Sequence, residues 1–266
     1  MPRPAASLAA LLAAATLLPL AAPAQQPAPA AQPTLNEVLD RLSQDSAAYQ
    51  AFVPNFFCDQ HVVSQQLKSG IVSKQATLDS NFRVVRNKTG ANHGQLVETA
   101  EPKLLNGKPT TKEHINLPIV FNDAFTSAVE TFFSDSSRGC YTYKLVTPPT
   151  GPIEVDFTVR DEYIPMVAQC GGIAPGTTGK ALVDRTTLHA IHVDRAHPDM
   201  PSGKGANSAS VDFATVLIGA DTFYLPSTVE ARAGTPAHGY LYRATYSNCH
   251  KLTVTTTISV VPDPGK

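Results

Sequence analysis

The chain has 266 residues, of which 42% are hydrophobic and 16% are charged, and its formal net charge at pH 7 is -1. A net charge close to zero excludes the basic surface that nucleic acids and anionic membranes require. The apolar content is too high for a disordered chain, and no segment after residue 24 is long and apolar enough to span a bilayer. Composition therefore predicts a folded domain with a hydrophobic core.

The first 24 residues have the order of a secretory signal peptide. Arg3 is the only charge before an apolar run, Leu8–Ala22, and Ala22-Pro23-Ala24 offers small residues for a cleavage site. We therefore expect export to the periplasm or the exterior, cleavage near Ala24 and no transmembrane segment. The predicted division of the chain is a signal peptide at residues 1–24, a Pro/Ala/Gln tether at 25–33, one β-rich domain at 34–260 and a flexible tail at 261–266.

Two amphipathic helices are predicted. Thr34-Leu35-Asn36-Glu37 has the spacing of a capping box, so the first helix covers about 35–50, and Pro54 ends it. The second covers 123–133, with Asn122 or Asp123 as its cap. Their apolar stripes consist of Leu35, Val38, Leu39 and Leu42 in the first helix and of Phe125, Ala128, Val129, Phe132 and Phe133 in the second.

Short segments with alternating polarity fill the rest of the chain. Asn106-Gly107 predicts a two-residue hairpin turn, after which residues 108–116 are expected to return as a strand. Strands with one apolar and one polar face are typical of antiparallel sheets. The other predicted strands are 56–68, 76–87, 95–105, a segment around 155–159, 180–186, 187–195, 210–218, 221–232 and 239–260.

Four widely spaced cysteines, Cys58, Cys140, Cys170 and Cys249, predict two disulfides in an oxidising compartment, with three possible connectivities. We favour Cys140–Cys170, because these two flank a candidate hairpin, which leaves Cys58–Cys249. A catalytic cysteine is disfavoured. Cys249 and His250 are neighbours in a predicted strand, so their side chains point to opposite faces.

The motif search indicates no catalytic constellation, so we expect a non-enzymatic protein without a cofactor. The strongest polar cluster is His189, His192, Asp194, His197 and Asp199. His192 and Asp194 share a strand face, and His197 and Asp199 could fold back to complete a site for zinc or another transition metal. A metal-dependent enzyme that uses this cluster is the third-ranked hypothesis, and a solvated strand edge is the favoured interpretation.

One segment carries a family resemblance. Gly179-Lys-Ala-Leu-Val183-Asp184-Arg-Thr-Thr187 resembles the G-x-x-x-V-D-x-x-T strand pair of the outer-membrane lipoprotein carriers of the LolA/LolB type. Phe223–Pro226 and Tyr246–Leu252 are similar to segments of uncharacterised exported proteins of that layout, especially acidobacterial ones. The resemblance implies an α+β, mainly β fold: a curved, half-open antiparallel sheet, or incomplete barrel, packed on the N-terminal helix and the short middle helix.

The same resemblance implies a binding or carrier protein for a lipid-like or lipoprotein hydrophobic ligand in the cell envelope. The ligand would occupy a cavity on the concave side of the sheet. The alternative is a structural or interaction protein of the envelope with a filled core, in which the stripe of Tyr240, Tyr242 and Tyr246 is packing. The candidate lining residues are Phe125, Phe132, Phe157, Phe213, Tyr240 and Tyr242.

Overall fold

The computed structural model describes residues 32–89, 93–121, 127–170, 173–197 and 207–253. Several predictions made above fall on other residues and lie outside this part of the chain. They are the signal peptide, most of the tether, the tail, the caps Asn122 and Asp123, the side chains of Phe125 and Asp199, and the strand beyond Thr253. None of the helices within the described ranges is long and apolar enough to cross a membrane.

The first helix, α1 (Leu35–Phe52), begins where the sequence predicts it. The Thr34 hydroxyl accepts the Glu37 backbone N–H at 3.3 Å, and the Glu37 carboxylate accepts the Thr34 backbone N–H at 2.7 Å. This reciprocal box satisfies two of the backbone donors that a helix start leaves free. The apolar stripe of α1 is buried through Val38, Leu39 and Leu42. The second helix, α2 (Ser127–Phe133), occupies the C-terminal part of its predicted range.

The described residues also form eleven strands in one sheet. Their bounds are β1 Phe56–Lys68, β2 Ile71–Arg86, β3 Leu96–Leu105, β4 Lys108–Pro109, β5 Tyr141–Val146, β6 Ile153–Val159, β7 Thr178–Val183, β8 Ala190–Ala196, β9 Ser208–Ile218, β10 Asp221–Gly234 and β11 His238–Lys251. Single turns of 3-10 helix lie at Lys112–His114, Arg138–Cys140, Asp161–Tyr163 and Ala168–Cys170.

The sheet is antiparallel and open. Its strand order is β4-β3-β2-β1-β11-β10-β9-β8-β7-β6-β5, so two meanders, β1–β4 and β5–β11, are joined by the pairing of β1 with β11. The two edge strands, β4 and β5, do not pair with each other within the described residues. The predicted mainly β architecture with an unclosed antiparallel sheet and two helices is confirmed.

One face of the sheet, here called the inner face, carries the core. A row of directly paired residues crosses eight strands on this face: Val155, Ala181, Val193, Val211, Val229, Ala244, Val62 and Leu78. All eight are buried. Because side chains alternate between the faces of a strand, this row shows that both meanders contribute the same side to one continuous core.

The helices pack mainly against the part of the inner face that β5–β8 provide, and Tyr49 of α1 also packs against a cluster that contains Phe56 of β1 and Phe82 of β2. Phe132 and Phe133 of α2 pack against Tyr141 and Phe157, and the rings of Phe132 and Phe157 stack with their centroids 4.6 Å apart. Burial of such rings contributes much of a core's stabilisation. The cluster around Val62, Leu78 and Tyr242, farther along β1, β2 and β11, includes no described residue of either helix.

The disulfides join Cys140 to Cys170 and Cys58 to Cys249, which is the favoured connectivity. Cys140 and Cys170 flank the β5–β6 hairpin, as the sequence indicates. Cys58 and Cys249 lie in neighbouring strands, where a bulge places Asn248 and Cys249 opposite Cys58. Asn248 adopts the left-handed conformation (φ 51°) that many bulges require.

The segment that resembles the lipoprotein carriers forms the β7–β8 hairpin. Gly179 pairs with Phe157, and a Cβ at this glycine would lie 2.2 Å from the Phe157 ring and 2.2 Å from the carbonyl oxygen of Asp194. At the turn, the Asp184 carboxylate accepts the backbone N–H groups of Thr186 and Thr187 and the Thr187 hydroxyl. These motif residues therefore shape the hairpin and the core beneath it.

The predicted strand 108–116 is wrong beyond its first two residues. β4 ends at Pro109, and the chain then leaves the sheet through a 3-10 turn at Lys112–His114. Proline has no backbone N–H to continue a ladder, which accounts for the end of the pairing.

Candidate functional site

Residues 115–121 form an extended segment, here called the strap, that runs over the inner face of β1, β2 and β11. Its alternate apolar side chains pack onto a cluster that includes Val62, Leu78 and Tyr242. The strap is fixed by one serine. The Ser64 hydroxyl donates to the carbonyl of Ile119 at 2.8 Å and accepts the Ile119 N–H at 2.9 Å. The inward side chains of the strap are Ile115, Leu117, Ile119 and Phe121.

A cavity of about 360 Å³ lies between the strap and the sheet. Ligand pockets in proteins generally have volumes of about 300–1,000 Å³ and mostly apolar walls. Nine of the twelve residues around this cavity are apolar or aromatic, but polar atoms form about as much of its exposed wall as apolar atoms do. The lining consists of Gln60, Val62, Leu78, Phe82, Glu98, Thr99, Ala100, Leu117, Val120, Phe121, Tyr242 and Tyr246.

The polar groups of the cavity are mainly uncharged. Burial raises the pKa of Tyr242 to about 12 and also raises the pKa of Tyr246, so both phenols remain neutral at physiological pH. Gln60 is buried and donates from its amide nitrogen to the Tyr246 hydroxyl at 3.2 Å. Among the described residues of the lining, the carboxyl group of Glu98 is the only ionisable acid or base other than the tyrosines.

The predicted lining residues do not all lie at this cavity. Tyr242 lines the cavity, whereas Tyr240 lies farther along β11, with its hydroxyl 3.4 Å from the Gln66 amide. Phe132 and Phe157 are buried in the aromatic core under the helices. Phe213 lines a second, small cavity of about 40 Å³ beside α1. Tyr240, Tyr242 and Tyr246 do share one face, as their spacing predicts, because they pair with Gln66, Ser64 and Gln60 of β1.

Sequence reasoning did not identify Gln60, Glu98 or the strap as parts of a site. The alternation of Ile115, Leu117, Ile119 and Phe121 is a usable signal, but the predicted strand ends at residue 116 and residues 117–121 are left without an assignment. No sequence signal connects Gln60 with Tyr246, since their contact depends on the pairing of β1 with β11.

The small cavity lies next to an unpredicted Asp–His–Arg cluster. His189 Nδ1 lies 2.5 Å from Asp45 Oδ2, and Arg41 donates to His189 Nε2 at 2.8 Å. These partners place the imidazole proton on Nδ1, which donates to Asp45. The His189 ring also stacks on Tyr224. Burial raises the pKa of the Asp45 carboxyl, and its hydrogen bond from His189 opposes that shift. With both ring nitrogens occupied, this cluster ties α1 to the sheet.

The predicted metal cluster is dispersed. His192 pairs with Asp212 at 2.6 Å on the solvent-facing side of β8 and β9, and Asp194 lies 3.7 Å from the same ring. His197 is buried, with its Nδ1 atom 2.7 Å from the Thr177 hydroxyl. His189 is hydrogen-bonded through Nδ1 to Asp45 of α1. Strand alternation and the turn before β8 send these side chains in different directions. Within the described ranges, no three metal-ligating side chains form a group.

Several solved structures are similar to this chain. A domain named for outer-membrane lipoprotein sorting, from Vibrio parahaemolyticus, has 11% identity and a TM-score of 0.38, covering 80% of this chain and 92% of that chain. A DUF1329 family protein from Desulfovibrio piger has 10% identity and a TM-score of 0.39, covering 84% and 95%. A LolA superfamily protein from Nitrosomonas europaea has 11% identity and a TM-score of 0.34, also covering 84% and 95%.

Identities of 10–11% carry no information about a ligand. No protein-family model matches the chain, and no curated protein matches it in sequence.

Proposed function

We propose that this protein is an exported, non-enzymatic carrier that binds a lipid-like or lipid-modified ligand in the cell envelope. The observation that carries the proposal is the cavity of about 360 Å³ under the strap. Its volume lies within the range of small-molecule sites, and apolar side chains and polar groups both line it. A cavity between an extended strap and a sheet suits an elongated apolar chain.

The chemistry of the lining supports binding rather than catalysis. The neutral phenols of Tyr242 and Tyr246 and the amide of Gln60 can orient a ligand, but they do not form a nucleophile–base pair. The compartment is supported by the two disulfides, which persist in oxidising environments such as the periplasm.

The proposal can be tested with a matched pair of variants on β1. Val62 lines the cavity, whereas Val63 lies on the opposite face of the same strand. We expect Val62→Phe to reduce binding of an apolar fluorescent probe about tenfold or more, since the larger ring occupies part of the cavity. Val63→Phe should bind the probe as the natural protein does.

Thermal unfolding of both variants shows whether weaker probe binding results from a filled cavity or from an unfolded protein. Native mass spectrometry of gently purified protein should also detect a bound lipid-like molecule. The proposal is wrong if the natural protein carries no such molecule and the probe binds equally to both variants.

A further inference from the structure

Two neighbouring hairpins end side by side at one end of the sheet. Residues 66–75 of the β1–β2 hairpin and residues 232–240 of the β10–β11 hairpin are together called the double tip here. Lys68 of β1 pairs directly with Ile71 of β2 and with His238 of β11. The Gly70 N–H donates to the Ala237 carbonyl at 3.0 Å, so the two turns are also hydrogen-bonded to each other. The double tip is therefore one structural unit.

The β1–β2 half of the double tip projects beyond the core. A strand that packs on a core alternates in burial along its length, and β2 does so from Ala76 onward. The five residues before it, Ile71–Gln75, are all exposed, on both faces of the strand. Ile71 is 72% exposed and Val72 is 44% exposed. Two adjacent large apolar side chains thus lie in solvent at the end of a projecting hairpin.

The double tip carries cations and no carboxylate side chain. Lys68, Lys74 and Arg232 are exposed there, and neither residues 60–78 nor residues 231–251 contain Asp or Glu. The net charge of -1 is a sum over the whole sequence, so it does not detect this local excess of cations. The conclusion from composition that a basic surface is absent is therefore wrong at this end of the sheet.

The apolar and basic groups follow one another along the double tip. Ile71 and Val72 come directly after the β1–β2 turn, whereas Lys74 and Arg232 lie farther back along their strands. The long apolar stem of Lys68 lets its ammonium group bend back toward them. The surface of a bilayer has the same order, with apolar acyl chains beneath charged headgroups. An acidic protein surface offers carboxylates without such an apolar layer beneath them.

We propose that the double tip docks on the surface of a bilayer that contains anionic lipid. Ile71 and Val72 enter the boundary between headgroups and acyl chains, and Lys68, Lys74 and Arg232 contact the lipid phosphates. Two apolar side chains and three cations give weak, reversible binding rather than anchoring. This contact goes beyond the proposed function, and none of its residues lines the cavity under the strap.

The depth of insertion can be measured at a single position, because the natural chain contains no tryptophan. The protein is recovered from the periplasm of an expression host and mixed with vesicles of phosphatidylglycerol and phosphatidylcholine. We expect the emission of Val72→Trp to shift to shorter wavelength and to be quenched by lipids with brominated acyl chains. Leu217→Trp, at a 63% exposed position of β9, should show neither change.

The role of charge is tested with matched pairs of lysines. Lys68→Gln/Lys74→Gln should weaken cosedimentation with phosphatidylglycerol vesicles about tenfold or more, since each basic residue near an anionic surface adds to the binding. Lys108→Gln/Lys112→Gln changes the net charge equally, at exposed positions outside the double tip, and should bind as the natural protein does. Raising the salt concentration should weaken binding of the natural protein.

The role of the apolar residues is tested by Ile71→Ser. We expect this change to weaken vesicle binding about threefold or more, because less apolar surface enters the bilayer. Leu217→Ser removes a comparably exposed apolar side chain elsewhere and should have no effect on binding. Exposed positions contribute little to stability, so the Tm of all these variants should stay close to that of the natural protein.

The proposal is overturned if the vesicles do not bind the protein, or if they bind it without changing the emission of Val72→Trp. Equal weakening by the two lysine pairs would overturn it as well. Tighter binding to soluble polyglutamate than to vesicles would do the same and would indicate an acidic protein partner. The proposed function is tested separately, by probe binding to Val62→Phe and Val63→Phe in the absence of vesicles.

Discussion

Gly179 creates the space into which the Phe157 ring fits. The two residues pair across β7 and β6, and the ring occupies the position that a side chain at residue 179 would take. The carbonyl of Asp194 closes the same space from the other neighbouring strand. A backbone carbonyl cannot move aside as a flexible side chain can, so any Cβ at this position forces strands apart.

We therefore expect Gly179→Ala to destabilise the protein by about 1–3 kcal/mol or more, as overpacked cores do. The measurement is the free energy of unfolding in urea. Gly139→Ala is the matched control, because no atom lies within 4 Å of a Cβ built at Gly139. Equal stability of the two variants would contradict the assignment of a packing role to Gly179.

At the scale of residues, contacts between sequence neighbours could be predicted, but the element that covers a given apolar side chain could not. The capping box at Thr34 and Glu37 depends only on spacing along the chain, and the structure contains it. Phe157 shows the opposite case. Its alternation with polar neighbours correctly places it on an apolar face, but whether a helix or a cavity covers that face depends on where α2 packs. That position is set by contacts distant in sequence.

The two disulfides connect different parts of the sheet and close loops of different length. Cys140–Cys170 links the two ends of one hairpin, with a sequence separation of 30, whereas Cys58–Cys249 links strands from the two meanders, with a separation of 191. A crosslink that closes a longer loop removes more conformational entropy from the unfolded chain.

We expect Cys58→Ala/Cys249→Ala to lower the free energy of unfolding more than Cys140→Ala/Cys170→Ala does. The chain-entropy model gives upper values of about 5 and about 4 kcal/mol, respectively. Urea unfolding of the two double variants measures the difference. A larger loss from the Cys140–Cys170 pair would show that local packing around that bond outweighs loop closure.

At the scale of elements, periodicity predicted most strands but did not identify the strap, of which only residues 115 and 116 fall in the predicted strand 108–116. Residues 115–121 have the alternation of a strand because they place every second side chain on a core. They do not join a ladder, since the chain leaves the sheet after Pro109. Periodicity reports which side chains are buried, and it does not report which backbone groups are paired.

The inner face as a whole is covered in two ways. Two helices with buried apolar stripes pack mainly on β5–β8, and α1 also reaches Phe56 and Phe82 through Tyr49. The extended strap packs on the cluster around Val62, Leu78 and Tyr242. The strap depends on the two hydrogen bonds between Ser64 and Ile119. Regions with few backbone hydrogen bonds open more readily than helices and ladders do.

Ser64→Ala should therefore increase the rate of amide hydrogen exchange in the strap, while α1 and β6 exchange as in the natural protein. Hydrogen-exchange mass spectrometry of strap peptides measures the effect. Ser80→Ala is a suitable comparison, because the Ser80 hydroxyl makes no hydrogen bond to the strap or to any other described residue. Unchanged exchange in Ser64→Ala would show that the apolar side chains alone fix the strap.

At this largest scale, the sequence predicted the class of fold but could not locate the cavity. One-sided strands and amphipathic helices indicate what must be buried, whereas the position of the cavity depends on strand order. Gln60 and Ser80 pair within the β1–β2 hairpin, but Tyr246 joins them only because β11, the last strand described, pairs with β1.

The pairing of β1 with β11 also sets an order of assembly. The strands of each meander can pair with their sequence neighbours early, but the two meanders meet only through a strand at the far end of the chain. Contacts between such distant segments form slowly, because a long loop must close first. Until β11 pairs with β1, Tyr242 and Tyr246 are missing from the wall of the cavity. A chain built in this way completes its cavity last.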